Sequence, residues 1–191
     1  MPRPTTPFES CEYYHVWTHA NGAENIFRED ENYLFFLSKY TFYLAPVVKT
    51  FAYCLMPNHI HLLIQVKENP NISVSKAFSN LLNSYSQSFN KKYARKGSLF
   101  ISNLKRKKID SDSYLTRCIT YIHQNPSHHG FVEDFTKWKH SSWKAFFSES
   151  QTNLEREKVL DWFGGKDAMV SNHKLSIDID FDPLEKIDFR G

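Results

Sequence analysis

His59-Ile60-His61 is the sharpest chemical feature of the chain. On a strand, residues two apart project to one face, so both imidazoles converge while Ile60 enters the other layer. Two convergent imidazoles are half of a divalent-metal site. An isolated H-x-H is more often two surface histidines on a strand. Met56-Pro57-Asn58 precedes it as a rigid turn, which fixes the start of the strand and so the pair. The second feature is Tyr121-Ile122-His123-Gln124-Asn125-Pro126 at the end of a helix. Tyr121 and Asn125 are four apart and share a helical face. A phenolate can attack phosphorus when nearby groups stabilise the developing charge. The Asn125 side chain can offer a carbonyl oxygen to a metal. Alone, the same pattern describes a core tyrosine and an asparagine C-cap before proline.

These residues need elements to hold them. Tyr13 to Thr18 is rich in aromatic and β-branched residues and predicts a strand. Asn21-Gly22 ends it as a turn. Glu29-Asp30-Glu31 then opens a helix with acids where the macrodipole favours them. Tyr33, Phe36, Leu37, Tyr40 and Leu44 follow at helical spacing, and Pro46 closes the segment. Val47 to Met56 and Ile60 to Val66 predict two strands joined by a tight turn, an antiparallel pair. Pro70 to Ser73 starts a second helix, with Val74, Phe78, Leu81, Leu82, Tyr85 and Phe89 at three- and four-residue steps. Leu99 to Ile109 reads as extended. Ser111 or Ser113 caps a third helix, which Pro126 is expected to stop. The order is βα-ββ-α-β-α. It predicts an α+β fold, an antiparallel sheet with helices packed on one face, close to the ferredoxin-like or RNA-recognition-motif sandwich. Leu154 to Phe163 predicts one more helix, ended by Gly164-Gly165. Beyond it, from Ser176, the tail is acidic.

Composition bounds the answer. The chain has 191 residues, 41% hydrophobic and 16% aromatic, enough for a real core. Its formal net charge of +3 excludes a histone-like polycation. It leaves room for nucleic acid bound through a local basic strip. Cys11, Cys54 and Cys118 lack C-x-x-C spacing, so neither a disulfide framework nor a cysteine-rich zinc module is expected. Without a signal-peptide pattern or a membrane-length apolar run, the sequence suggests a cytoplasmic protein with no membrane partner.

Taken together, Met56-Pro57-Asn58-His59-Ile60-His61-Leu62-Leu63 and, about sixty residues later, Tyr121 to Pro126 resemble the HUH single-tyrosine transposases. The REP-associated tyrosine transposases of bacteria are the nearest look-alikes. The resemblance covers roughly residues 10 to 147. It includes Tyr14-His15-Val16, Ile26-Phe27, Gly97 to Phe100, Ser113-Tyr114-Leu115, Gly130-Phe131-Val132, Trp138 and Ser141-Ser142-Trp143. It implies a catalytic domain over 8–147, followed by a helical extension and acidic tail over 148–191. It implies His59 and His61 as ligands of Mg²⁺ or Mn²⁺, Tyr121 as the nucleophile and Asn125 as a further ligand. Gln124 offers the same amide; the face shared with Tyr121 favours Asn125. His19-Ala20 departs from the family, where many relatives carry an arginine.

The implied chemistry is attack on single-stranded, hairpin-bearing DNA, such as a REP-like repeat. It leaves a 5′-phosphotyrosine and a free 3′-hydroxyl, and rejoining needs no ATP. Mixed imidazole and amide ligation suits Mn²⁺ at least as well as Mg²⁺. No dedicated general base is evident beyond His123 as a minor candidate. Relatives include monomers and homodimers that share active sites. DNA contacts are expected from Lys91, Lys92, Arg95 and Lys96, and from Lys105, Arg106, Lys107 and Lys108. Each run alone is equally a solvated charged face. His128-His129 reads as surface histidines, and Asp178, Asp180 and Asp182 as a solvated edge or tail. Two other functions compete: a non-catalytic single-stranded nucleic-acid-binding module on the same scaffold, and a metal-dependent hydrolase that uses water in place of tyrosine.

Overall fold

The computed structural model describes residues 7–102 and 104–175. Strands β1 (Tyr13–His19), β2 (Val48–Met56), β3 (His59–Val66) and β4 (Lys105–Ile109) form one sheet in the order β2-β3-β1-β4. Every neighbouring pair is antiparallel. Helix α1 (Asp30–Leu44) links β1 to β2, α2 (Val74–Lys92) links β3 to β4, and α3 (Asp112–His128) follows β4. The first six elements and this strand order make the expected ferredoxin-like plan. Two further helices, α4 (Arg156–Phe163) and α5 (Lys166–His173), come later in the chain.

Side-chain alternation divides the sheet into two faces. Tyr14, Val16, Ile60, Leu62 and Ile64 pack under α1 and α2 with Phe36, Tyr40, Phe78, Leu81 and Tyr85. Phe27 joins them, stacked on Tyr33 at 4.3 Å. Each such aromatic or aliphatic side chain contributes about 1.5–3 kcal/mol on full burial. The opposite face carries Phe51, Cys54, Met56, Leu63 and Ile109, and Leu115, Cys118, Ile119 and Ile122 of α3 cover it. One-faced packing therefore holds for α1 and α2 but not for α3. The second face is itself apolar and must also be covered. Val159, Leu160, Phe163 and Met169 of α4 and α5 join that second layer.

Local signals explain most boundaries. Ser73 Oγ accepts from Lys76 N at 3.3 Å and caps α2. A register shift between Thr50 and Ala52 turns both Phe51 and Ala52 toward α3. Among the described residues of 99–109 only Lys105–Ile109 forms a strand, while Phe100 makes an isolated bridge to Ala20. Pro126 does not stop α3, which runs on to His128. The missing N–H deprives only the Ile122 carbonyl, one turn from the helix end. His129 N still closes on Asn125 O at 3.0 Å. The acidic tail, with Asp178, Asp180 and Asp182, lies outside the described residues. No helix among the described residues is long and apolar enough to cross a membrane.

Candidate active site

The H-x-H pair opens β3 immediately after the Pro57-Asn58 turn. In the β1–β3 register, His19 stands opposite His59 and Trp17 opposite His61. His15, Trp17, His19, His59 and His61 therefore share the face that α3 covers. His59 and His61 are both 1% exposed, and His15 is fully buried. The ring of Tyr121 comes down edge-on over them, 5.8 Å from His61 and 6.0 Å from His15 between centroids. His129, at the end of α3, lies 4.6 Å from His59, and His128 lies 6.1 Å from Tyr121.

Hydrogen bonds set the tautomers. Asn58 Oδ1 can only accept, so His59 donates from Nδ1 at 2.6 Å and Nε2 is its lone-pair nitrogen. His61 Nδ1 meets His15 Nε2 at 2.9 Å. When His61 donates in that bond, its own Nε2 becomes the lone-pair nitrogen and His15 plays the outer-shell orienting role. Burial pushes His15 down to about 3 and His19 to about 4. Burial also holds His59 and His61 well below the usual imidazole range. All four are neutral at pH 7, the state a metal ligand needs.

Asn125 is fully buried, and its Nδ2 donates to Tyr121 O at 3.0 Å, which ties the two residues together. Its Oδ1 is buried with no hydrogen-bond partner among the described residues. A carbonyl oxygen in that position is costly unless something binds it. This orphaned acceptor and the two neutral imidazoles that share one sheet face are, by chemistry, donors that suit a divalent cation. No three His, Cys, Asp or Glu side chains among the described residues form a ready metal cluster, so such a site depends on the amide. Gln124 points elsewhere: its Nε2 donates to His173 O at 2.9 Å and Leu175 O at 3.0 Å.

His123 is removed from the reaction centre by its own bonds. Met169 O can only accept, so His173 donates to it from Nδ1 at 2.8 Å. His173 Nε2 then accepts from His123 Nδ1 at 2.9 Å. His123 Nε2 in turn accepts from Ser142 Oγ at 2.8 Å, and Ser142 Oγ accepts from Tyr53 N at 2.9 Å. This buried chain anchors α3 between β2 and α5 and turns both ring nitrogens of His123 toward Ser142 and His173.

The predicted basic residues divide. Lys105 and Lys107 stand opposite Trp17 and His15, so they flank the histidine face. Lys107 also sits 4.9 Å over the ring of Tyr114. Strand alternation sends Arg106 and Lys108 to the other face. There Arg106 lies over Phe8 at 4.2 Å, and Lys108 pairs with Glu9 at 2.6 Å and Glu12 at 3.2 Å. Lys91, Lys92, Arg95 and Lys96 lie at the end of α2, in the layer away from the histidines. Lys92 pairs with Glu29 and Glu31, and Arg95 with Glu24 at 2.5 Å. Arg95 also donates to Ser98 O at 2.9 Å, so it braces the following loop. The structure does not bring this run to the site.

Sequence reasoning missed His15 and His19 as members of the site; His128 and His129 are exposed, as the sequence suggested, and reach its rim beside Tyr121 and His59. His15-Val16-Trp17-Thr18-His19 carries the same two-residue alternation as His59-Ile60-His61, a visible signal. The long-range register that sets the two rows opposite each other has no local signature.

Residues 8–125 match the family model described as "Transposase IS200 like". The chain belongs to the IS200-like transposase family. It is similar to a REP-associated tyrosine transposase assigned in Haemophilus influenzae, 32% identical over 131 residues, covering 64% of this chain and 70% of that protein. Its fold is similar to that of a REP-associated tyrosine transposase solved bound to a REP hairpin. The TM-score is 0.68 at 12% identity, over 78% of this chain and 87% of the other.

Proposed function

We propose that the protein is a metal-dependent strand transferase that nicks and rejoins single-stranded, hairpin-bearing DNA through Tyr121. The observation that carries this reading is Tyr121 poised over His61 and His15, tied to Asn125 with its unsatisfied buried oxygen. His59, His61 and Asn125 would hold Mg²⁺ or Mn²⁺. The ion supplies Lewis-acid neutralisation of the scissile phosphate's oxygens. Asn58 and His15 fix the rotation of the two imidazoles. Asn125 binds the backbone of Tyr121 and so couples ligand and nucleophile positions. The Tyr121 phenol loses its proton and its oxygen forms a bond to phosphorus. The bond from phosphorus to the 3′ oxygen breaks, and that oxygen takes up a proton. The 5′-phosphotyrosine retains the bond energy, so a 3′-hydroxyl can reverse the step on a new strand without ATP. Lys105 and Lys107 neutralise flanking phosphates. A REP-like hairpin is the substrate class we expect, since the structurally similar transposase was solved with one.

The experiment is incubation of the full chain with a labelled single-stranded hairpin oligonucleotide and Mn²⁺. A protein–DNA adduct that survives SDS is expected, and it should be absent with EDTA and in Tyr121→Phe. Binding without any adduct would instead mark a non-catalytic module. Hydrolysis without an adduct would mark a water-using nuclease.

A further inference from the structure

A row of rings leads away from the histidine site on the flank opposite the lysines. It begins at His59 and His129, 4.6 Å apart, and continues to Phe131 at 6.5 Å and Trp138 at 6.0 Å. It ends with His140, 5.7 Å from Trp138, and Tyr33, stacked on His140 at 3.5 Å and 2°. The rings are held firmly. Gly130 adopts φ 71°, the left-handed conformation that reverses the chain after α3. Phe131 N and Val132 N both donate to Pro126 O, at 2.8 Å and 3.3 Å. Phe131 is thus fixed to the end of the helix that carries Tyr121. Trp138 donates from Nε1 to Leu55 O at 3.0 Å, which pins the indole to the edge of the sheet. Yet Phe131 remains 37% exposed and Trp138 half-buried. At the far end a cavity of about 400 Å³ opens between Tyr33, Pro57, Trp138, His140 and Arg28.

We propose that His129, Phe131 and Trp138 form a stacking shelf for unpaired bases of the single strand that flanks the scissile phosphate. The inference rests on the strand-transfer reading and names how that site would take its substrate. The shelf is continuous with the candidate ligand His59, so a strand leaving the site meets it first. Lys105 and Lys107 offer charge for phosphates on one side, and the rings offer π-faces for bases on the other. A duplex hides its base faces in its own stack; a single strand presents them. Such stacking accepts any base and strengthens binding by roughly tenfold or more per base. The shelf therefore selects for strandedness and not for sequence.

The test compares two fluorescent hairpins, one blunt and one with a dT extension on either side, against wild type, Phe131→Ala and Phe131→Trp. The shelf predicts that Phe131→Ala weakens binding of the extended hairpin roughly tenfold and leaves the blunt hairpin unchanged. Phe131→Trp should restore the affinity. A 2-aminopurine placed in the extension should be quenched by wild type and by Phe131→Trp, but not by Phe131→Ala. Equal loss on both hairpins, or no loss on the extended one, would overturn the shelf. Adduct formation by wild type, scored in the same tubes, reports separately on the strand-transfer reading. Its absence with intact stacking would sink that reading alone.

Discussion

On one side of the β1–β3 pair, Tyr14, Val16, Ile60 and Leu62 lie under α1 and α2. On the other side of the same strands, His15, Trp17, His19, His59 and His61 lie under α3. Most of these side chains are equally buried, with Tyr14 and Val16 at 0% and His15 and His61 at 0% and 1%. The difference is in what burial achieves. The first face removes apolar area from water and holds the fold. The second buries imidazoles, which costs free energy unless their nitrogens are bonded, and it bonds them to Asn58 and to one another. A sheet built only for stability would not carry that row. It marks where local preference yields to chemistry.

Variants that strike each face separately should break the comparison if it is wrong. The largest effect expected is complete loss of covalent adduct in Tyr121→Phe, with a melting curve close to wild type. Next comes Phe36→Ala on the α1/α2 face. It should cost about 3–5 kcal/mol by denaturant titration, while any protein still folded retains adduct chemistry. Acidification should erode the α3 layer first. Burial lowers His173 to about 4, so the unfolded chain binds the proton that the folded one refuses. Stability should therefore be full above the ordinary imidazole value near 6.5 and fall as pH drops toward 4, by roughly 1.4 kcal/mol per pH unit for this one group. Unfolding followed by intrinsic fluorescence across that window checks the sign. His15→Ala should weaken Mn²⁺ binding about 10- to 100-fold by calorimetry. The smallest contrast is between lysines: Lys107→Ala should weaken DNA binding modestly and flatten its salt dependence. Lys92→Ala, across the sheet and paired with Glu29 and Glu31, should do neither.

Much of this architecture was legible in the residues. The alternation of β1 and β3, the periodicity of α1 and α2 and the turn at Pro57-Asn58 all act locally and all reappear. The H-x-H and Y-x-x-x-N spacings likewise mark side chains that share a face whatever the fold. What was not legible depends on distance or parity. Pairing of His15 with His61 joins positions 46 residues apart, and no local property encodes that register. The basic run 105–108 looks uniform, yet strand alternation sends Lys105 and Lys107 to the site and Arg106 and Lys108 away from it. Pro126 promised a helix end, but the backbone needed to lose only one bond to continue. Gln124 and Asn125 are chemically alike. Only the position of α5 shows that Gln124 donates to the His173 and Leu175 carbonyls while Asn125 donates to Tyr121 O; the oxygens of both amides are buried without a hydrogen-bond partner among the described residues.

The central claim is that Tyr121 is the nucleophile, and mapping the attachment site in wild type tests it most directly. The adduct formed with a hairpin oligonucleotide and Mn²⁺ would be digested with protease and nuclease and the modified peptide sequenced by mass spectrometry. A nucleotide carried on Tyr121 is the predicted result. A nucleotide on Tyr114, one heptad earlier in α3, or on any other residue would contradict it.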